Sequence, residues 1–124
     1  LACGVMVMYL YLRIVKMNDL EICKRIAEIE GEVVSGVGDH SVYIKCQPSL
    51  VGNVQYNPLT DDALCFQIMV KHDVDLMSPY RVNGETKWEA QVFSKNYADA
   101  LSIYDESPNK AILLAIIEAH NEST

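Results

Sequence analysis

The residues that could do chemistry are few and widely spaced. His72, Asp73 and Asp75 crowd into "KHDVD" (71–75), Asp61 and Asp62 are adjacent in "LTDDAL" (59–64), and Cys3, Cys23, Cys46 and Cys65 are spread about twenty residues apart. The first group would suit a divalent cation if a further carboxylate converged on it. A solvated helix end explains the same residues. Asp61 and Asp62 could be an acid/base couple, but neighbours in the first turn of a helix point about 100° apart and do not face each other as a dyad does. Capping and compensation of the helix dipole account for them. A cysteine nucleophile needs a nearby base and a thiolate, and the sequence places neither beside Cys23 or Cys65. Both read as small core hydrophobes.

The remaining chemistry motifs are missing from the pattern. His40, His72 and His120 fall in separate elements, without the H-x-x-x-H or H-E-x-x-H spacing that puts two imidazoles on one helix face. The cysteines make no C-x-x-C, so no zinc framework follows. "GVGDH" (36–40) lacks the glycine spacing and the lysine of a phosphate loop, and a hairpin turn explains it. The sequence therefore assigns no catalytic, metal or cofactor-binding residue, implies no cofactor, and favours a protein that is not an enzyme.

The elements that would hold these residues are readable. Asn18 and Asp19 can cap a helix whose polar stripe is Glu21, Lys24, Arg25 and Glu28, with Ile22, Cys23, Ile26 and Ala27 opposite and Gly31 at its end. Glu21 is placed to pair with Lys24 and Arg25. Val33-Val34 and Val42 to Cys46 read as strands around a Gly36–Asp39 turn, and residues 54–56 as a short extended piece. Thr60 is the natural cap of a second helix, on which Phe66 and Val70 widen the apolar surface enough to predict burial on more than one side. Asn83-Gly84 marks a hairpin, with Trp88, Ala90 and Val92 facing the core. Leu101 and Ile103 suggest another strand. Ser107 and Pro108 then start a last helix with a core face of Ile112, Leu113, Ile116 and Ile117, and with His120 near its end. The order is α-β-β-α-β-β-β-α, an α+β fold with an antiparallel sheet of four to five strands and three helices packed on it.

The chain has 124 residues and a formal charge of −7. That length suits one domain. Residues 1–16 are an apolar stretch closed by Arg13 and Lys16, too short to span a bilayer and with its charge on the wrong side for a secretory signal. They read as an extension outside the fold, with the domain at 17–122 and a start at Met17. From Met17 onward there are 8 basic and 17 acidic side chains, a net of −9. A body so acidic repels a phosphate backbone and matches a basic protein surface.

Three blocks, "DLEICKRIAEIEG" (19–31), "YNPLTDDALCFQIMVKHDVD" (56–75) and "ESPNKAILLAIIEAHN" (106–121), resemble the phage ABA sandwich domain family of small phage and prophage proteins. The resemblance implies an α/β/α-layered fold and a life in the bacterial host cytoplasm during phage growth. It transfers no catalytic residue, because that family has no assigned activity. Two functions follow as expectations. The first is a noncatalytic accessory protein that binds a host or phage protein and is compatible with a homodimer, making no direct contact with nucleic acid or membrane. The second is a small metal-dependent hydrolase or nucleotide-processing enzyme using Asp61/Asp62 or His72/Asp73/Asp75, which requires those carboxylates to meet a histidine from another element.

Overall fold

The computed structural model describes residues 17–46, 51–82, 84–93 and 101–123. The expected extension at 1–16 lies outside the described residues. Among the described residues nine elements follow one another: α1 (Asp19–Ile29), β1 (Val34–Val37), β2 (Val42–Lys45), β3 (Asn53–Gln55), α2 (Asp62–Lys71), β4 (Asp75–Val82), β5 (Glu85–Val92), β6 (Leu101–Asp105) and α3 (Pro108–Ser123). The α+β class is the one expected. Among the described residues six strands, close to the four to five expected, form two antiparallel three-stranded sheets, β1-β2-β3 and β4-β5-β6.

Each helix starts on a side-chain cap. Asn18 Oδ1 accepts from the Glu21 amide at 2.8 Å, and the Glu21 carboxylate accepts in turn from Asn18 Nδ2 at 2.9 Å. Glu21 is thereby drawn away from Lys24 and Arg25, and the ion pair on this face is Arg25 with Glu28 at 3.5 Å. The cap of α2 is Asp61, whose Oδ1 accepts from the Leu64 amide at 3.1 Å. The expected cap, Thr60, sits one residue too early, because Asn57 O already accepts from the amides of both Thr60 and Asp61. Ser107 caps α3 through the Lys110 amide at 3.2 Å, as its sequence requires.

Both α1 and α2 end in a Schellman motif. In α1 the Gly31 amide reaches Glu28 O and the Glu32 amide reaches Ala27 O, with Gly31 at φ +76°. In α2 the corresponding residues are Asp73, bonded to Val70 O, and Val74, bonded to Met69 O. Asp73 holds the left-handed position at φ +54°, a conformation that a short polar side chain tolerates better than most.

The helices run in one direction. At their starts Lys110 Nζ approaches Asp19 at 3.8 Å and Asn109 Nδ2 donates to Asp62 at 2.9 Å. At their ends Arg25 donates to Asn121 at 3.3 Å and His72 meets Glu30 at 2.7 Å. A chain that leaves one helix at its end must return to begin the next beside it, and an odd number of antiparallel strands does this. Residues 53–55 are therefore a third strand, paired through Val54 with Ile44, and not merely an extended piece. The same logic repeats in the second half, where β4, β5 and β6 return the chain to Pro108.

Helix α3 packs on β5 and β6 of the second sheet and receives α1 and α2 on its other side, while the first sheet packs on α1. Ala111 to Glu118 are all buried, so the core includes Ala111, Leu114 and Ala115 beyond the expected face. Ala90 and Val92 are buried as their alternation predicts, and Trp88 is half-buried. The prediction of burial on several sides fails for α2. Phe66 is 60% and Val70 58% exposed, because α2 is covered only where Cys65 and Ile68 face the core. The turn between β1 and β2 is also displaced from Gly36–Asp39: Val37 pairs with Val42, and Gly38 bonds to Ser41 O.

Since Leu113 is fully buried in the central helix, Leu113→Ala is expected to cost about 2–5 kcal/mol. Urea unfolding of the variant beside the parent checks this, and a loss below about 1 kcal/mol would contradict the central placement of α3.

Candidate functional site

The shared direction of the helices brings three N-termini to one end of the molecule. With them come seven carboxylates: Asp19 and Glu21 on α1, Asp39 in the β1–β2 turn, Asp61 and Asp62 on α2, and Asp105 and Glu106 before α3. Compensation of helix dipoles does not require so many. Three N-termini carry about +0.5 each, so with Lys110 they supply roughly 2.5 positive charges against seven carboxylates and leave a net of about −4.5. The excess is a surface property of this end.

A concavity opens in the middle of it. Between the start of α1 and the β1–β2 turn runs an open groove of about 490 Å³, lined by Asn18, Asp19, Leu20, Asp39 and His40. It continues into a cavity of about 90 Å³ that Asp19 and His40 share with Cys23 and Asn57. The topology builds it: β1 and β3 both run toward the helix starts, so the 38–41 turn and the segment leading into α2 flank α1. None of this was visible in the sequence. Asp19 and Asp39 are too far apart in the chain for local spacing to pair them.

Cys23 and His40 line one cavity, but they do not form a nucleophile and base. The Cys23 thiol donates to Asn57 Oδ1 at 3.4 Å, and burial pushes its pKa up. Cys65 is buried against α3, its thiol 4.0 Å from Asn109 O. Burial first, then Asp62 and Asp61, raises it from 9.0 to about 11. Both thiols are therefore held neutral, as core residues are.

The two candidate chemical groups lie at opposite ends of α2. Asp61 is occupied as a cap, and Asp62 accepts from Asn109. At the far end His72 does meet a carboxylate from another element, but it is Glu30, the C-cap of α1, and neither Asp73 nor Asp75. Lys71 Nζ approaches the other Glu30 oxygen at 3.3 Å. Glu30 was missed by sequence reasoning because nothing local relates residue 30 to residue 72. This cluster ties the ends of two helices together, while Asp73 closes the Schellman motif and Asp75 is exposed at the start of β4. Among the described residues, no group of three His, Cys, Asp or Glu side chains could hold a metal ion. Beside the cluster, Tyr56 is 4% exposed with its hydroxyl lacking a hydrogen-bond partner, and burial, then Glu30 and Glu32, pushes its pKa up.

Fold and surface together define a small α+β protein whose distinguishing feature is an acidic, indented end. The chain belongs to the family described as bacteriophage P22 NinX, whose sequence model matches residues 13–120, and it is thus a small phage protein with an accessory role. The phage origin inferred from the three sequence blocks is borne out at that level. No curated protein matches the chain. No helix among the described residues is long and apolar enough to cross a membrane.

Two outcomes follow. Asp73→Gly removes a side chain from the left-handed position and is expected to stabilise the protein by about 0.5–1 kcal/mol, measured by urea unfolding; a loss would show that the carboxylate does more than close the helix. Keeping the Cys65 thiol neutral contributes stability that is complete below about pH 9 and lost as pH rises through about 11, since the unfolded thiol ionises first. Unfolding free energies from about pH 8 to about pH 11 should fall more steeply for the parent than for Cys65→Ala.

Proposed function

We propose that this protein is a noncatalytic phage accessory protein that binds a basic surface of a host or phage protein through its acidic end, acting in the bacterial cytoplasm. The observation that carries the reading is the convergence of Asp19, Asp39, Asp61, Asp62 and Glu106 at the starts of three parallel helices, in excess of what the helix dipoles need. Such a surface attracts a protein that itself binds nucleic acid and repels the nucleic acid directly, so mimicry of a phosphate backbone is the specific form of the proposal. No metal or cofactor takes part in it. The metal-dependent hydrolase alternative would need Asp61/Asp62 or His72/Asp73/Asp75 to meet a histidine from another element, whereas Asp61 holds the Leu64 amide, Asp62 accepts from Asn109, and His72 meets Glu30. The homodimer would use a different surface, the exposed ridge of Phe66 and Val70.

The test is capture from host lysate on the immobilised protein, repeated from about 0.05 M to about 0.5 M salt. Retention of the captured partner should fall steeply with salt. A variant carrying Asp19→Asn, Asp39→Asn, Asp62→Asn and Glu106→Gln should show both weaker capture and a shallower salt dependence. Capture that ignores salt, or that survives these substitutions unchanged, would sink the reading.

A further inference from the structure

The cavity at the acidic end has a size and a lining that bear on what enters it. At about 90 Å³ it is well below the roughly 300–1,000 Å³ of sites that enclose cofactors or nucleotides. It suits one side chain. Its walls divide by chemistry: Leu20, Val42 and Leu59 are apolar, while Ser41, Asn57 and Thr60 bring oxygen atoms, and Asp19 is shared with the outer groove where Asp39 also stands.

That division fits a long aliphatic stem with a cationic head. A lysine or arginine buries its methylenes against apolar surface and keeps its charge on oxygen acceptors. Asn57 Oδ1 takes only the weak thiol bond from Cys23 at 3.4 Å, and its carbonyl has a second lone pair. Tyr56 forms part of the same wall. The amides at the start of α1 are the feature that would favour an anion instead. Asn18 Oδ1 already holds the Glu21 amide, and although Lys110 Nζ stands 3.8 Å from Asp19, Asp39 adds a second carboxylate at the mouth, so the local balance favours a cation.

We infer that the cavity between α1, the 38–41 turn and the 56–60 segment is an anchor pocket for one lysine or arginine side chain of the basic partner. This rests on the acidic end being the docking face and names how that face selects its partner: a cationic side chain inserted beyond the surface, gripped at the mouth by Asp19 and Asp39. A protein with a merely positive surface would bind loosely. One that also presents a protruding lysine or arginine would bind with slower dissociation.

The test needs no partner. Isotope-labelled full-length protein is titrated with n-butylammonium chloride and followed by amide NMR, with n-butanol and sodium butyrate as neutral and anionic counterparts of similar stem. Saturable shifts confined to residues 18–23, 38–42 and 56–60 are expected with n-butylammonium only. The Asp19→Asn/Asp39→Asn variant should bind about tenfold more weakly, and His40→Trp, which fills the mouth, should abolish the shifts while the rest of the spectrum stays in place. Shifts scattered over all exposed carboxylates, including Glu28 and Asp75, would overturn the inference, as would an equal response to n-butanol or butyrate. A filled pocket with salt-insensitive capture counts against the docking face alone; an unresponsive pocket with salt-sensitive capture counts against the anchor pocket alone.

Discussion

Helix α3 can fold only if it is covered on every side. Ala111 to Ile117 are buried without interruption, and a helical stretch that is apolar all round has no face to give to water. The second sheet covers one side, and α1 and α2 cover the other. Both covering helices run parallel to α3, which fixes the rest of the architecture. Each must be joined to the next by a return through three strands, so αβββ occurs twice before the last helix. The first sheet then closes over α1.

The same constraint sets the electrostatics. Parallel helices add their dipoles instead of cancelling them, so their starts gather positive potential at one end. The sequence answers with caps and first-turn acids: Asn18 and Asp19, Asp61 and Asp62, and Asp105 and Glu106 before α3. What exceeds that compensation is left as an acidic surface at this end. The turn at 38–41 and the segment at 56–60 reach this end because β1 and β3 run toward it, and between them they leave the groove and cavity. At the opposite end Glu30 receives His72 and Lys71, locking the helix ends in register. The indented acidic face is thus a by-product of burying α3.

Much of the fold was legible in the residues. The caps Asn18 and Ser107, the terminating Gly31, the turn glycine Gly84 between β4 and β5 and the alternation of Leu101 with Ile103 are local signals, and local signals survive into the structure. The errors share a cause. Residues 53–55 form a strand because the topology needs a third return, Thr60 loses its capping role to a turn built on Asn57, and Phe66 and Val70 stay exposed because α3 can cover only one face of α2. Each depends on contacts distant in sequence. The candidate site follows the same division: the acidity of the body could be counted, but the meeting of Asp19 with Asp39 and of Glu30 with His72 is set by the fold.

On the proposed reading, a partner is engaged by the end where the helices start. Zero-length carboxyl-to-amine cross-linking in phage-infected cells, read by mass spectrometry, tests it most directly. Cross-links from Asp19, Asp39, Asp61, Asp62 or Glu106 to lysines of another protein are expected. Cross-links concentrated instead at Glu28, Asp73 or Asp75, on the opposite end, would contradict it.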